Sequence, residues 1–231
     1  MLIHPMRIYK KKISEVSNID IEISYNTPLH PHIISPIETS SDTEFAYLHY
    51  AVSNNGMTLR EFTQQAGIRK TILHRIHPVD IMLQLIDAYA FMIKNNMLEG
   101  QSNINPDCIW IEREGGGIKA YVMDVLETQI PDKYRIIDDD VFQYWSTDYI
   151  HEYQNIHYYN IDRTHIPKLT RSDTRLSSNH IVNSLGLLLY FIVDRRDPYP
   201  GGRVNPNERP FFRTNFNLKY KKYIILATDP N

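Results

Sequence analysis

The chain has 231 residues, 42% hydrophobic and 23% charged, enough to bury one good core or two small lobes and too apolar for a disordered chain. Lys and Arg number 25 against 27 Asp and Glu, a net charge of −2, so the basic excess that nucleic-acid or anionic-membrane binding draws on is missing. The single cysteine, Cys108, excludes an internal disulfide and an all-cysteine zinc site, and it fits a reducing compartment.

The longest apolar run, Leu185 to Val193, falls short of the roughly 18 residues that a bilayer span needs. Met1 to Met6, followed by Lys10-Lys11-Lys12, lacks the apolar core of a secretory signal. The expectation is a soluble cytoplasmic protein with no nucleic-acid or membrane partner.

Arg7 to Ile13 and Asn18 to Ser24 mix β-branched and charged residues in rough alternation and read as short, half-exposed strands, with Lys10-Lys11-Lys12 at an edge. Pro28, Pro31 and Pro36 keep the next stretch out of a long helix, and Ile33-Ile34 begins a strand. Glu44 to Tyr50 alternates as another. Asn54-Asn55-Gly56 signals a turn, and Thr58 with Glu61 three residues on is a capping box that starts a short helix holding Leu59 and Phe62.

From Val79 to Asn96, Ile81, Leu85, Ala88, Tyr89, Met92 and Ile93 recur at helical spacing and mark a long amphipathic helix closed by Asn95-Asn96. Ile109-Trp110-Ile111 and Ile118 to Met123 read as two strands of a hairpin around Gly115-Gly116-Gly117. His151 to Ser178, rich in Tyr, Asn and Arg, has the composition of an exposed loop, and a second apolar helix runs from about Asn179 to Val193. The order is that of an α+β protein.

Isolated chemical signals are weak. His30 with His32, and His74 with His77, have ligand-like spacing, but no carboxylate or cysteine cluster completes a metal site. Cys108 reads as a buried filler, Gly115-Gly116-Gly117 as a turn with no helix to lend its N-terminus to a phosphate, and Asp138-Asp139-Asp140 as a solvated acidic run.

The ordered set of segments says more. Asn103-Ile104-Asn105-Pro106-Asp107-Cys108-Ile109-Trp110-Ile111, after a long amphipathic helix, resembles the catalytic loop of eukaryotic protein kinases. Met123-Asp124-Val125-Leu126 follows the hairpin where that family has D-F-G, and Tyr144 to Ile150 looks like a worn A-P-E segment. Asn183-Ser184-Leu185-Gly186 resembles the W-S-L-G start of the buried central helix, Arg196 to Gly201 the turn after it, and Leu226 to Asn231 the later helix ending in D-P. Upstream, His30 to Ile34 looks like the turn before the fourth strand and Leu48 to Ala51 like the hinge, so the resemblance spans residues 7 to 231.

The resemblance implies a kinase-like fold: a reduced β-rich N-lobe over residues 1–52, without a glycine-rich loop, and a mainly α-helical C-lobe over 53–231 that lacks its last helix. The connection at about 151–178 would be an insertion. Kinase chemistry needs an aspartate at the substrate hydroxyl, a lysine and two metal ligands at the phosphates, and a glycine-rich cover. Asn103 stands at the H-R-D aspartate and cannot take a proton, a loss worth ~10²–10⁴-fold. Asn105 replaces the catalytic-loop lysine, and Cys108 puts a soft sulfur where magnesium wants oxygen. No catalytic residue is expected.

Asp124 remains as one metal carboxylate, and Lys11 with Glu22 stands where the nucleotide-holding pair would lie. Ile181 and Asn183 occupy the central helix's aspartate and tryptophan positions, and Asp148 stands for the A-P-E glutamate. The insertion carries Tyr158, Tyr159, Arg163, Lys168, Arg171 and Arg175, candidates for a partner-binding surface. The implied function is that of a pseudokinase, a regulatory binding module that docks on a protein partner such as an active protein kinase, with no cofactor. The alternative is a weakly active ATP-dependent Ser/Thr kinase using Asp124, Lys11 and magnesium.

Overall fold

A computed structural model describes residues 6–12, 29–43, 45–68, 78–95, 104–114, 117–123, 141–147, 150, 178–199 and 207–229. The chain divides into two compact units, residues 1–101 with 106–130 and residues 102–105 with 131–231. The described elements make a mixed α+β protein.

In the first unit, β1 (Met6–Lys12), β3 (Glu38–Ser41) and β4 (Phe45–Ala51) form an antiparallel sheet in the order β1-β4-β3, with Lys11 opposite Ala46. β1 is an edge strand, as its lysine run suggested. β3 has the polar sequence Glu-Thr-Ser-Ser and shows no alternation from which a strand is read. It forms because β4 offers it a hydrogen-bonding edge, and Ile37 N–H donates to His49 O at 2.8 Å beside it.

A second sheet runs β2-β7-β6-β5. Here β2 is Ile33–Ile34, β5 Met57–Thr58, β6 Ile109–Glu114 and β7 Gly117–Met123. The expected hairpin is present, with Glu114 opposite Gly117 and Ile109 opposite Val122. Ile33-Ile34 does not pair with β3 or β4, as a meander would have it; it lies parallel to Val122-Met123.

The capping box closes α1 (Leu59–Ile68) reciprocally: Thr58 N–H donates to Glu61 Oε2 at 2.8 Å and Glu61 N–H to Thr58 Oγ1 at 3.1 Å. Leu59 and Phe62 then point into the core. Helix α2 (Pro78–Lys94) buries Ile81, Met82, Leu85, Ala88, Tyr89 and Met92, each contributing on the order of 1.5–3 kcal/mol for the larger side chains. Ile93, counted with that stripe in the sequence, is exposed instead. Gln84 fastens α2 to β7 ahead of the β2 pairing, its Oε1 accepting from Ala120 N–H at 2.9 Å and its Nε2 donating to Ile118 O at 3.1 Å. The side-chain amide thus does for β7 what a further strand would do. Asn95 ends the helix, with Nδ2 bonded to Phe91 O at 2.8 Å.

In the second unit, α3 (Ser178–Asp194) is buried almost all round, as its apolar sequence predicts. Arg195, at φ 59°, turns the chain out of it by an N–H bond to Phe191 O at 2.7 Å. Helix α4 (Leu218–Thr228) starts at Asn217, whose side chain accepts from Lys219 N–H, and stops before Asp229. It crosses α3 at Gly186, where a Cβ would stand 2.6 Å from the Ala227 methyl. The lobe boundary expected after residue 52 rests on the resemblance alone; residues on either side of it, Tyr50 and Val52 before and Trp110 and Met123 after, share one core cluster.

Candidate functional site

The loop singled out in the sequence is described from Ile104, which is buried, and Asn105, which is half-buried. Pro106–Cys108 makes one 3-10 turn that runs straight into β6. That geometry turns Pro106 and Cys108 inward and Asp107 out to solvent. Arg60 of α1 grips Asp107 through Nε, 2.8 and 3.0 Å from the two carboxylate oxygens. An exposed pair of this kind adds ~1 kcal/mol at most, but it fixes the turn against α1. The buried Cys108 thiol offers a hard cation no oxygen.

Beyond the turn, Trp110 is buried in a cluster with Tyr50, Val52 and Met123, flanked by Ile34 and Tyr121. Tyr50 lies on β4 and Val52 just beyond it, and Met123 directly precedes Asp124. The indole Nε1–H donates to Glu112 Oε1 at 3.0 Å, and the same oxygen accepts Ser53 N–H at 3.1 Å. Gly56 makes room: a Cβ there would lie 2.3 Å from the indole nitrogen. Sequence reasoning missed Glu112, although strand period alone puts Trp110 and Glu112 on one face of β6. Desolvation, followed by the charge of Glu112, raises the pKa of Tyr121. Among the described residues the arrangement is one of dispersion contact with Glu112 as a charged acceptor.

Of the other expected site residues, Lys11 lies on β1. Glu22, Asn103, Asp124, Tyr158, Tyr159, Arg163, Lys168, Arg171 and Arg175 lie outside the described residues, as do His74, His77, Asp138-Asp139-Asp140, Asp148 and residues 151–177. His30 and His32 are built into the fold. His30 Nδ1 accepts from His32 N–H at 3.2 Å, His30 Nε2 lies 3.4 Å from Asp87 Oδ2, and His32 Nδ1 is 3.1 Å from Ala120 O.

The second unit carries a different network. Tyr144 donates to Asp197 Oδ1 at 2.8 Å in the turn after α3. The largely buried Asp194 accepts from Arg196 at 2.6 and 2.9 Å and from Tyr190 Oη at 3.2 Å. The same hydroxyl is 2.5 Å from Phe211 O, and the Tyr190 ring stacks on Phe216. Burial first, and the Asp194 charge second, push Tyr190 up to about 12. Ile181 and Asn183 are buried in α3, and Asn183 Oδ1 has no hydrogen-bond partner among the described residues.

Among the described residues no group of three or more His, Cys, Asp or Glu is placed to hold a metal ion, and no helix is long and apolar enough to cross a membrane. No family model matches the sequence, and no curated protein does either.

Proposed function

We propose that this chain is a degenerate protein-kinase-like module, with lobes at 1–52 and 53–231, whose function is binding rather than phosphoryl transfer. The observation that carries the reading is the filling around Trp110. A nucleotide held by Asp124 would have to approach beside Met123, where Trp110, Tyr50 and Val52 already pack against one another. The element order gives further support. It runs through a long helix, the Pro106–Cys108 turn, a hairpin and a buried helix with Gly186 against its successor, an order in keeping with the reading.

In this reading Asn103, Asn105 and Cys108 are lost catalytic positions. The insertion at 151–178, with Tyr158, Tyr159, Arg163, Lys168, Arg171 and Arg175, presents itself to a protein partner. An active protein kinase is the partner class favoured, by fold-level analogy.

The test is the melting temperature of the purified chain with and without excess ATP and magnesium. A ligand that binds only the native state at 100 times its Kd adds ~2.7 kcal/mol, and no shift is expected here. A magnesium-dependent shift would put Asp124 and Lys11 back into a working site and favour the weakly active kinase. On the binding side, deletion of residues 155–175 should abolish capture of the partner, and Asn103→Asp should restore no activity.

A further inference from the structure

Helix α2 has two apolar faces, and among the described residues one of them is buried and the other largely exposed. Beside the buried stripe runs a second, Val79, Leu83, Ile86, Ala90 and Ile93. Leu83 is 60% exposed, Ile86 47% and Ile93 42%; Ala90 is exposed and Val79 half-buried. The intervals of four, three, four and three residues are those of a heptad seam, the pattern by which one helix accepts another. A helix covered on one side only has no need of such a repeat, and apolar residues in this register on an outer face mark an interaction surface.

The charges beside the seam say which occupant fits. Asp80, Asp87 and Lys94, all exposed, follow the seam along one flank at seven-residue intervals. Asp80 and Lys94 are therefore equidistant from Asp87. In an antiparallel pair of α2 helices with a two-fold axis at Asp87, Asp80 faces Lys94 of the second copy and Lys94 faces its Asp80, two opposite-charge pairs from one operation. The seam also maps nearly onto itself, with Leu83 against the Ala90–Ile93 end and Ile86 close to its own copy. Only Asp87 meets a like charge, at the axis, where each carboxylate already has an imidazole beside it, His30 Nε2 at 3.4 Å. A mixed flank of this kind suits neither an anionic membrane nor a uniformly acidic or basic peptide.

We propose that the outer face of α2 is a self-association surface, pairing two copies of this chain antiparallel through Leu83, Ile86, Ala90 and Ile93. This rests on α2 alone and not on the kinase-like reading. The helix is already folded on β7, so pairing carries no cost of helix formation. The patch is short, so the dimer is reversible and weak, in the class of small transient interfaces.

Sedimentation equilibrium of the full chain tests it. The expected result is a concentration-dependent dimer below ~0.5 mM, and a chain that stays monomeric over that range overturns the proposal. Leu83→Glu with Ile86→Glu should give monomer with an unchanged circular dichroism spectrum; a dimer that survives it is built elsewhere, and the proposal fails. Should that variant misfold, the charge swaps decide, since they alter exposed side chains alone. Asp80→Lys should weaken the dimer about tenfold by turning two attractions into repulsions, and adding Lys94→Asp should restore it. A double swap no tighter than the single one overturns the antiparallel register.

Discussion

The Trp110 cluster of the first unit and the Tyr190 network of the second hold their surroundings by opposite chemistry. Around Trp110 the contacts are indole, phenol ring, valine and methionine, with Glu112 as a charged acceptor. Around Tyr190 a largely buried carboxylate takes bonds from a guanidinium and a phenol, and the ring stacks on Phe216. The first depends mainly on shape. The second depends on charge state and direction. The two units therefore hold their segments differently, by apolar filling in the first and by a polar tie in the second.

The comparison breaks most sharply at Trp110. Trp110→Ala should cost about 3–5 kcal/mol, the transfer term plus an unfilled cavity, read as a fall in the urea midpoint. Trp110→Phe should cost less, since the ring volume is largely kept and mainly the bond to Glu112 is lost. Equal losses would mean that the indole N–H, not its bulk, holds the cluster. In the second unit the steric test is Gly186→Ala. Its new methyl meets Ala227 Cβ at 2.6 Å, a stiff neighbour that yields only if α3 and α4 move apart. A loss of ~1–3 kcal/mol in the melt is expected, and a neutral result would put the helices farther apart than this packing has them.

Much of this was legible because it is local. The capping box at Thr58 and Glu61, the hairpin from Ile109 to Met123 and the apolar run of α3 each follow from spacing, and each is where the sequence put it. What was not legible depends on partners distant in the chain. Nothing in Glu38 to Ser41 says strand until β4 supplies an edge, and Ile33-Ile34 carries no sign of its parallel register with Val122-Met123. Ile93 was grouped with the buried stripe of α2 because two apolar stripes on one helix share the same intervals, and periodicity does not tell which of them faces the core. Of the site, the buried place of Cys108 was readable, whereas the Arg60 grip on Asp107 and the Tyr144 bond to Asp197 join residues 47 and 53 positions apart.

The pH dependence of the second network follows from Tyr190. Its folded pKa, about 12, lies above the ordinary tyrosine value of 10.0 because burial and the Asp194 charge disfavour the phenolate. The stability it contributes is therefore present in full below pH 10 and lost as pH rises through about 12. Tyr190→Phe should flatten the stability curve between those values relative to wild type, measured by denaturant midpoints across that range. A parallel curve would mean that the phenol is solvated rather than held by Asp194 and Phe211.

The smallest effect sharpens the first unit alone. Thr58→Ala removes the hydroxyl that accepts Glu61 N–H at 3.1 Å, leaving one donor in the first turn of α1 without its cap. The cost should be ~1 kcal/mol, and Thr58→Ser, which keeps the oxygen, should recover most of it. Because Arg60 sits in the same turn and grips Asp107, fraying of α1 should also loosen the turn that carries Cys108. Hydrogen exchange at Asp107 and Cys108 then reports the coupling: faster exchange in Thr58→Ala than in Thr58→Ser ties the cap to the loop, and equal rates confine the loss to the helix end.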